Sequence, residues 1–330
     1  MKNVLYFFYY LKNTNWSRLN KHLQYVSKTN NFNKCHLVSD MIKCTFKYGT
    51  AFHEYFYYDF CHKSASQRSE YASMGFMYEY QKKMNPPSKR DILADKNKFD
   101  KAYKEFIGRG LLNPETSSIE EIEKFIADRN KIVLKRSTGG GGKNVLILTG
   151  KDVNADNIKA LAKNEHFDIL EEFVIQHEKL QELSPNSLNT VRFITQLKTD
   201  GTVDIIGASL RMGIHKNTDN LSSGGITCKV NIETGVIESK GYSFDITQPL
   251  CDVHPVSGIQ LVGFQIPFWK EVKEMCQKAA AKYPDNKCVG WDVAIKQDGP
   301  LLIEGNHDWG ARVWQMPAGK GMKSLLEKYL

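Results

Sequence analysis

Four consecutive glycines, Gly139 to Gly142, stand between two short apolar runs that each point to a β-strand. Val133-Leu134-Lys135 leads into them through Arg136-Ser137-Thr138, and Lys143-Asn144 leads out into Val145-Leu146-Ile147-Leu148. Without side chains, the turn between the strands is nearly bare backbone, so the stretch predicts a β-hairpin with a glycine tip. Such a tip lets amide N–H groups come close to anionic oxygens, and Lys135 and Lys143 put positive charge on both sides of it. The pattern suits a cover over phosphate. It is not a Walker A loop, because no Ser or Thr follows Lys143, and it lacks the strand-then-helix setting of a dinucleotide fingerprint. A plain surface hairpin is the competing reading of the same residues.

A chain of 330 residues can build two or three subdomains around a substantial core, and 41% hydrophobic with 25% charged residues is ordinary for a globular protein. The net charge of +8 points to an anionic partner without choosing among nucleotide, sugar phosphate and membrane surface. There is no basic block with interleaved aromatics, which argues against nucleic acid. Seven cysteines, with no CxxC pair, do not form a disulfide framework and fit a reducing cytoplasm. The apolar run Val4 to Leu11 is too short to span a bilayer and has no cleavage site after it, so no signal peptide is expected. Attachment of this aromatic segment to the inner face of a membrane is an alternative that the same residues allow.

Taken in order, residues 1–90 read as a helical, aromatic-rich region that ends at Pro86-Pro87. A helix is expected over Asp91 to Gly108 and another over Ser117 to Arg129, with Ser118 as N-cap and Glu121 three residues on. The glycine hairpin follows, then a helix from about Asp152 to Lys163 and the strand Asp168 to Val174. Two strands between Asn189 and Met212 turn at Asp200-Gly201 and carry Arg192 and Arg211. Ser222-Ser223-Gly224-Gly225 forms a second glycine loop. After a helix over Pro267 to Lys282, the strands Val289 to Ile295 and Leu301 to Asn306 complete an α+β chain.

The sharpest cluster of chemistry is Asp292, Glu304 and Asn306. Glu304 and Asn306 are two apart on one strand and share a face, and their oxygens suit a hard cation such as Mg2+. Asp292 joins them only in one register. A two-residue turn at Asp298-Gly299 pairs Val293 with Glu304 and turns Asp292 away. A three-residue turn, Gln297-Asp298-Gly299, pairs Asp292 with Glu304 directly.

The order of these features resembles the ATP-grasp superfamily: Asp95-Lys96 followed by Phe99, Lys135 before a glycine hairpin, Glu171-Glu172-Phe173-Val174, two strand arginines, Asp292, and Glu304-Gly305-Asn306. Gln176-His177, Ser187 to Arg192 and the Gly224-Gly225 loop look more specifically like the sugar-transfer-associated ATP-grasp branch. The resemblance covers residues 91–330 and departs at the front, where helices stand in place of the usual α/β domain. It implies an ATP-grasp fold, with ATP clamped between two α+β subdomains, one of them a glycine-hairpin lid over about residues 115–175. Lys96 and Lys135 would contact ATP, Gly139, Gly140, Gly141 and Gly142 would close over its phosphates, and Glu171, Glu172, Phe173 and Val174 would form the adenine hinge. Gln176 or His177 would reach the ribose. Asp292, Glu304 and Asn306 would hold Mg2+, while Arg192 and Arg211 would act on the transferring phosphoryl group or the substrate carboxylate, with Arg312 a further candidate.

The implied activity is an ATP-dependent carboxylate-amine ligase working through an acyl phosphate. Its substrates would be a uronic acid or sugar nucleotide and an amino acid or small amine, in capsule or O-antigen synthesis. A kinase on the same fold and a nucleotide-binding scaffold for glycosyltransferases are the rival readings.

Overall fold

The chain folds, in a computed structural model that describes residues 2–137, 145–215 and 218–330, as a layer of helices set against two antiparallel sheets. Gly139 to Gly142 and Lys143 lie outside the described residues.

The front of the chain is helical: α1 (Lys2–Asn13), α2 (Trp16–Thr29), α3 (Lys34–Tyr48), α4 (Phe52–Tyr57), α5 (Ala65–Ser69) and α6 (Met74–Met84). Polar caps set several of these boundaries. Asn15 accepts from the Arg18 amide at the start of α2, Asn33 from the Cys35 and His36 amides at the start of α3, and Gly49 ends α3 in a left-handed conformation. The aromatic density becomes a core of its own, in which Phe52, Tyr55, Phe56, Tyr58 and Phe60 are buried together and Leu221, Phe244 and Met316 join from the far end of the chain.

The proline pair follows the end of α6 at Met84. Helix α6 packs Met77, Tyr80 and Met84 against Ile194, Cys288, Trp309 and Trp314. Gln81 donates to the Trp309 carbonyl (2.7 Å), and Asn85 donates to the Cys288 carbonyl (2.7 Å). The last helix before Pro86 is thus built into the body of the protein.

Short helices α7 (Asp91–Ala94), α8 (Lys96–Ala102) and α9 (Lys104–Ile107) replace the single helix expected over Asp91 to Gly108. A small sheet follows, made of β1 (Leu111–Leu112), β2 (Lys131–Lys135), β3 (Val145–Thr149) and β4 (Ile169–Glu172) in the order β1-β4-β2-β3. Helices α10 (Ile119–Ile126) and α11 (Ala155–Glu165) cover one face of it through Ile122, Ile158, Ile132, Leu134 and Leu170. Ser118 and Glu121 form the expected capping box.

After α12 (Glu178–Leu183), the larger sheet is built from β5 (Thr190–Leu197), β6 (Val203–Met212), β7 (Ile226–Lys229) and β8 (Tyr242–Ser243), then β9 (Cys288–Lys296) and β10 (Gly299–Asn306). Its order is β10-β9-β5-β6-β7-β8. Helix α13 (Trp269–Lys282) packs on one face, where Phe193, Trp291, Trp269 and Val272 form the main core. Helices α14 (Arg312–Ala318) and α15 (Lys323–Glu327) close the chain.

Neither turn expected for the last hairpin forms. Gln297 and Asp298 make a two-residue turn that pairs Gly299 with Lys296 and Leu302 with Val293, and a bulge at Ile303 then shifts the register by one residue. Beyond the bulge, Glu304 lies opposite Asp292 and Asn306 opposite Gly290. Gly305 packs closely where it stands, because a Cβ there would meet Leu93, Phe99 and Trp291 at 3.0 Å each and these side chains would have to shift.

Two imidazoles, His22 on α2 and His53 on α4, pack against each other and against Tyr57 in the helical region. His22 is fully buried, and no ring nitrogen of His22 or His53 has a hydrogen-bond partner. Burial drives both rings down to about 4, aided at His53 by His22, Arg18 and Arg312, and outweighs the Asp245 carboxylate beside His22. Both are therefore neutral in the fold but protonate near 6.5 once unfolded, so their stabilisation is full above that pH and is lost as pH falls from 6.5 toward 4. Urea unfolding at pH 5 should show a loss of about 2 kcal/mol per histidine relative to pH 7.5. His22→Gln should roughly halve that pH-dependent loss, and an unchanged loss would place its origin elsewhere.

Candidate active site

Strand pairing builds the centre of the site. Glu304 on β10, Asp292 on β9, Arg192 on β5 and Ser209 on β6 lie directly opposite one another in turn, so the four form one row across four adjacent strands. Arg211 lies two residues beyond Ser209 on the same face of β6. Arg192 donates to Asp292 from Nε (2.6 Å) and Nη2 (3.2 Å), and Arg211 Nη2 donates to the second carboxylate oxygen (2.7 Å). Arg211 also donates to Thr190 Oγ1 (2.6 Å from Nη2) and faces Asp219 at 3.4 Å. Thr190 in turn donates its hydroxyl and its amide to Asp219.

Burial would raise the Asp292 carboxyl, but the guanidiniums of Arg192 and Arg211 hold it down to about 2. Glu304 goes the other way: burial raises it, and the Asp292 carboxylate beside it raises it further. Asp219 is also raised, by burial, despite Arg211. Two adjacent carboxylates with opposed shifts make a site that gains by sharing a cation, since one proton or one metal ion relieves their repulsion. Asn306 Nδ2 donates to the Gly290 carbonyl (3.2 Å) and to Glu304 (3.3 Å), which leaves its Oδ1 as the atom it can offer a cation. The oxygens of Asp292, Glu304 and Asn306 thus fit a hard divalent ion such as Mg2+.

This cluster forms one wall of a cavity of ≈ 720 Å³ between the two sheets. Asp292, Glu304 and Arg211 line it on one side, and Lys96, Lys135 and Arg136 on the other. Val133, Ile147, Phe173, Val174, Leu188 and Ile303 give it an apolar slot. Lys131 reaches over the Phe173 ring, 3.8 Å from its centroid.

Lys135 is held by Glu171, which also receives Arg109 Nε at 2.9 Å. Arg109 Nη1 donates to the Leu302 carbonyl (2.7 Å) and so ties the small sheet to the last hairpin of the large one. Burial opposes ionisation of Glu171, yet Arg109 and Lys135 together keep its carboxyl below the ordinary value.

Of the segment expected as the base hinge, Glu171, Phe173 and Val174 line the cavity; Glu171 binds Arg109 and Lys135, and Glu172 accepts from the Gly110 amide (3.1 Å). Gln176 borders the cavity but is buried, donating to the Ser187 carbonyl (2.9 Å) and accepting from the Asn189 amide and side chain (3.0 Å each). His177 caps α12, accepting from the Lys179 amide at 3.2 Å, with its ring against Phe268 and away from the cavity wall. Arg192 is buried against Asp292, Asn306 is held to Glu304, and Arg312 lies over the Phe244 ring, 5.1 Å from its centroid, next to the helical region. Lys96 is on the wall, with Nζ donating to the Ser137 carbonyl at 3.3 Å. Sequence reasoning missed Arg109, Thr190 and Asp219. Gly108-Arg109-Gly110 was the available signal for the first, since Gly108 turns with φ of +57° and delivers Arg109 beneath Glu171.

Residues 76–329 match the model of a family described as sugar-transfer associated ATP-grasp. The chain belongs to that family. The matched region begins inside α6, in keeping with the packing of that helix into the body. No curated protein matches the sequence. Among solved structures, it is similar to the ATP-grasp ligase PsnB, complexed with a phosphomimetic variant of a minimal precursor, Mg and ADP. The identity is 16% and the TM-score 0.45, over 78% of this chain and 65% of that one. It is also similar to purK, N5-carboxyaminoimidazole ribonucleotide synthetase, in its ADP complex (12%, 0.43, 67% and 46%). A third is D-alanyl-alanine synthetase A from Vibrio cholerae (15%, 0.41, 72% and 61%).

Because Lys135 is held at the cavity edge by a buried carboxylate, it is positioned before any nucleotide arrives. Lys135→Ala should weaken ADP binding by about 10- to 100-fold in calorimetry, the value of one charge-assisted phosphate contact. Unchanged affinity would remove Lys135 from the nucleotide site.

Proposed function

We propose that this protein is an ATP-dependent ligase that joins a carboxylate to an amine and releases ADP and phosphate. The observation that carries the reading is the Glu304–Asp292–Arg192 row, with Arg211 beside it, facing Lys135 and Lys96 across a cavity with an apolar slot. One end of that cavity suits an adenine and the other a triphosphate with its metal. Lys96 and Lys135 bind phosphate oxygens, and Phe173 and Val174 pack the base. Asp292, Glu304 and Asn306 would hold Mg2+, which neutralises charge on the phosphates as the γ-phosphoryl group moves.

Arg192 does not reach the reactants and acts by fixing Asp292. Arg211 stands on the cavity wall; burial opposes its charge, but Asp219, Asp292 and Glu304 raise its pKa and keep it protonated beside the phosphoryl path. In the first step a carboxylate oxygen of the acid bonds to the γ-phosphorus as its bond to the bridging oxygen breaks, leaving ADP. In the second, the amine attacks the acyl carbon, phosphate departs with the bonding pair, and the amine gives up a proton to water. No nucleophilic side chain is needed, because positioning and charge neutralisation carry phosphoryl transfer.

A second cavity of ≈ 450 Å³ lies beside the first. Asn220 lines the first cavity and Leu221 the second, so the two share a wall. Lys21 is paired with Asp245 (2.6 Å) in the wall of the second cavity, so Arg18 is the cation it offers, and with the hydroxyls of Ser222, Ser223 and Ser243 it suits an anionic, hydroxyl-rich molecule such as a uronic acid or sugar nucleotide. That character, with the family's description, supports an acceptor from surface-glycan synthesis, capsule or O-antigen.

Purified protein with ATP, Mg2+, pooled uronic acids and sugar nucleotides, and pooled amino acids and small amines tests this reading. Mass spectrometry should find a product equal to acid plus amine minus water, with one ADP and one phosphate per product. A phosphorylated acceptor formed without amine would make the protein a kinase, and AMP in place of ADP would contradict the acyl-phosphate route.

A further inference from the structure

The charge of this chain is not spread evenly. Residues 1–90 carry 14 basic and 5 acidic side chains, whereas residues 91–330 carry 31 and 32, so the whole positive excess belongs to the helical front. The first 39 residues contain no Asp or Glu at all. No helix among the described residues is long and apolar enough to cross a membrane.

Helix α1 is apolar on both sides. Its inner face sets Tyr6, Phe7 and Tyr10 into the aromatic core, with Tyr10 donating to the Gly49 carbonyl. Its outer face repeats at helical spacing as Val4, Leu5, Phe8, Tyr9 and Lys12. Leu5 is 70% exposed, Phe8 62% and Tyr9 58%, far beyond what an ordinary surface leaves of such side chains. Trp16 (51% exposed) and Phe46 (43%), the latter stacked on Phe7 at 5.1 Å, extend the patch across the start of α2 and onto α3. Exposed Lys43 and Lys47 flank Phe46 in sequence, and Lys12 ends the α1 stripe. Glu79 is already taken by Lys2 (3.0 Å) and Tyr6 (2.7 Å).

We propose that the outer face of α1, with Trp16 and Phe46, docks this protein on the surface of an anionic lipid bilayer. A 12-residue helix, about 18 Å long, lies in the headgroup plane with Leu5 and Phe8 entering the acyl boundary. Tyr9 and Trp16 suit the interface, being apolar bodies with a polar tip. Lys12, Lys43 and Lys47 then meet lipid phosphates. A second copy of this chain is the poorer occupant, because a self-complementary contact would bring the same lysines face to face with few carboxylates to answer them. Docking does not rest on the ligase reading.

Flotation of the full-length protein with vesicles tests the proposal, using phosphatidylcholine alone and phosphatidylcholine mixed with phosphatidylglycerol. The wild type should bind the mixed vesicles at least about tenfold more strongly than the neutral ones, and high salt should weaken that binding. Leu5→Asp with Phe8→Asp should abolish it while leaving circular dichroism and ADP affinity unchanged, since both side chains point away from the core. Lys12→Glu should reduce it by several-fold. No binding of the wild type to anionic vesicles at low salt, or full binding by the double variant, overturns the proposal. So does a dimer, seen by light scattering, that the double variant dissociates without any vesicle binding by the wild type.

Discussion

Everything chemical in this protein depends on how one buried negative charge, Asp292, is kept ionised. Removing a carboxylate from water is costly, and here two arginines on neighbouring strands offset the cost with three hydrogen bonds. The arrangement is geometric before it is electrostatic. Antiparallel register sets Arg192 opposite Asp292, and a one-residue bulge sets Glu304 opposite it on the other side. With Asp292 satisfied by arginine, Glu304 becomes the group whose ionisation is held back, and a divalent cation is the natural partner for the pair. The small sheet answers with a second ionic centre of the same kind, in which Glu171 is compensated by Arg109 and Lys135. The two centres are linked, because Arg109 also holds the carbonyl of Leu302, two residues before Glu304.

Much of this architecture could be read from residue order. Periodicity and caps found most of the helices and strands, and Glu304 with Asn306 shared a face by strand alternation alone. The pairing of Asp292 with Glu304 was one of two registers left open, and the chain reaches it by an unforeseen path, a tight Gln297-Asp298 turn corrected by a bulge at Ile303. Bulges have no clear signature in an apolar run such as Leu301-Leu302-Ile303. Roles that depend on which way a polar side chain turns were equally hidden. Gln176 and His177, which the resemblance sets at the ribose, also bond the backbone on either side of α12, Gln176 the Ser184 and Ser187 carbonyls and His177 the Lys179 amide. Arg109 was overlooked because its partner lies 62 residues away and becomes its neighbour only when the small sheet folds.

The helical front shows how one composition can serve two purposes. Its aromatics form a real core around Phe52, Tyr55 and Phe60, and that core reaches the two-sheet body through Leu221, Phe244 and Met316. Leu221 and Phe244 also border the second cavity, so the helices help to shape the space beside the cavity between the sheets. Having filled the core, the same segment leaves further aromatic side chains on the outside of α1 and surrounds them with lysines. Periodicity alone could not separate these populations, because a helix apolar on both sides has no preferred face until its neighbours are known.

The central claim is that Asp292 and Glu304 together hold a divalent metal ion against a nucleotide in the cleft between the sheets. Electron paramagnetic resonance of Mn2+ added with ADP tests it most directly, because the spectrum reports the ion's own ligands without any knowledge of the acceptor. The wild type should show an immobilised ion that depends on ADP, and Glu304→Gln, with its fold verified by circular dichroism, should lose it. An identical bound-ion spectrum in that variant would contradict the account and move the metal to other ligands.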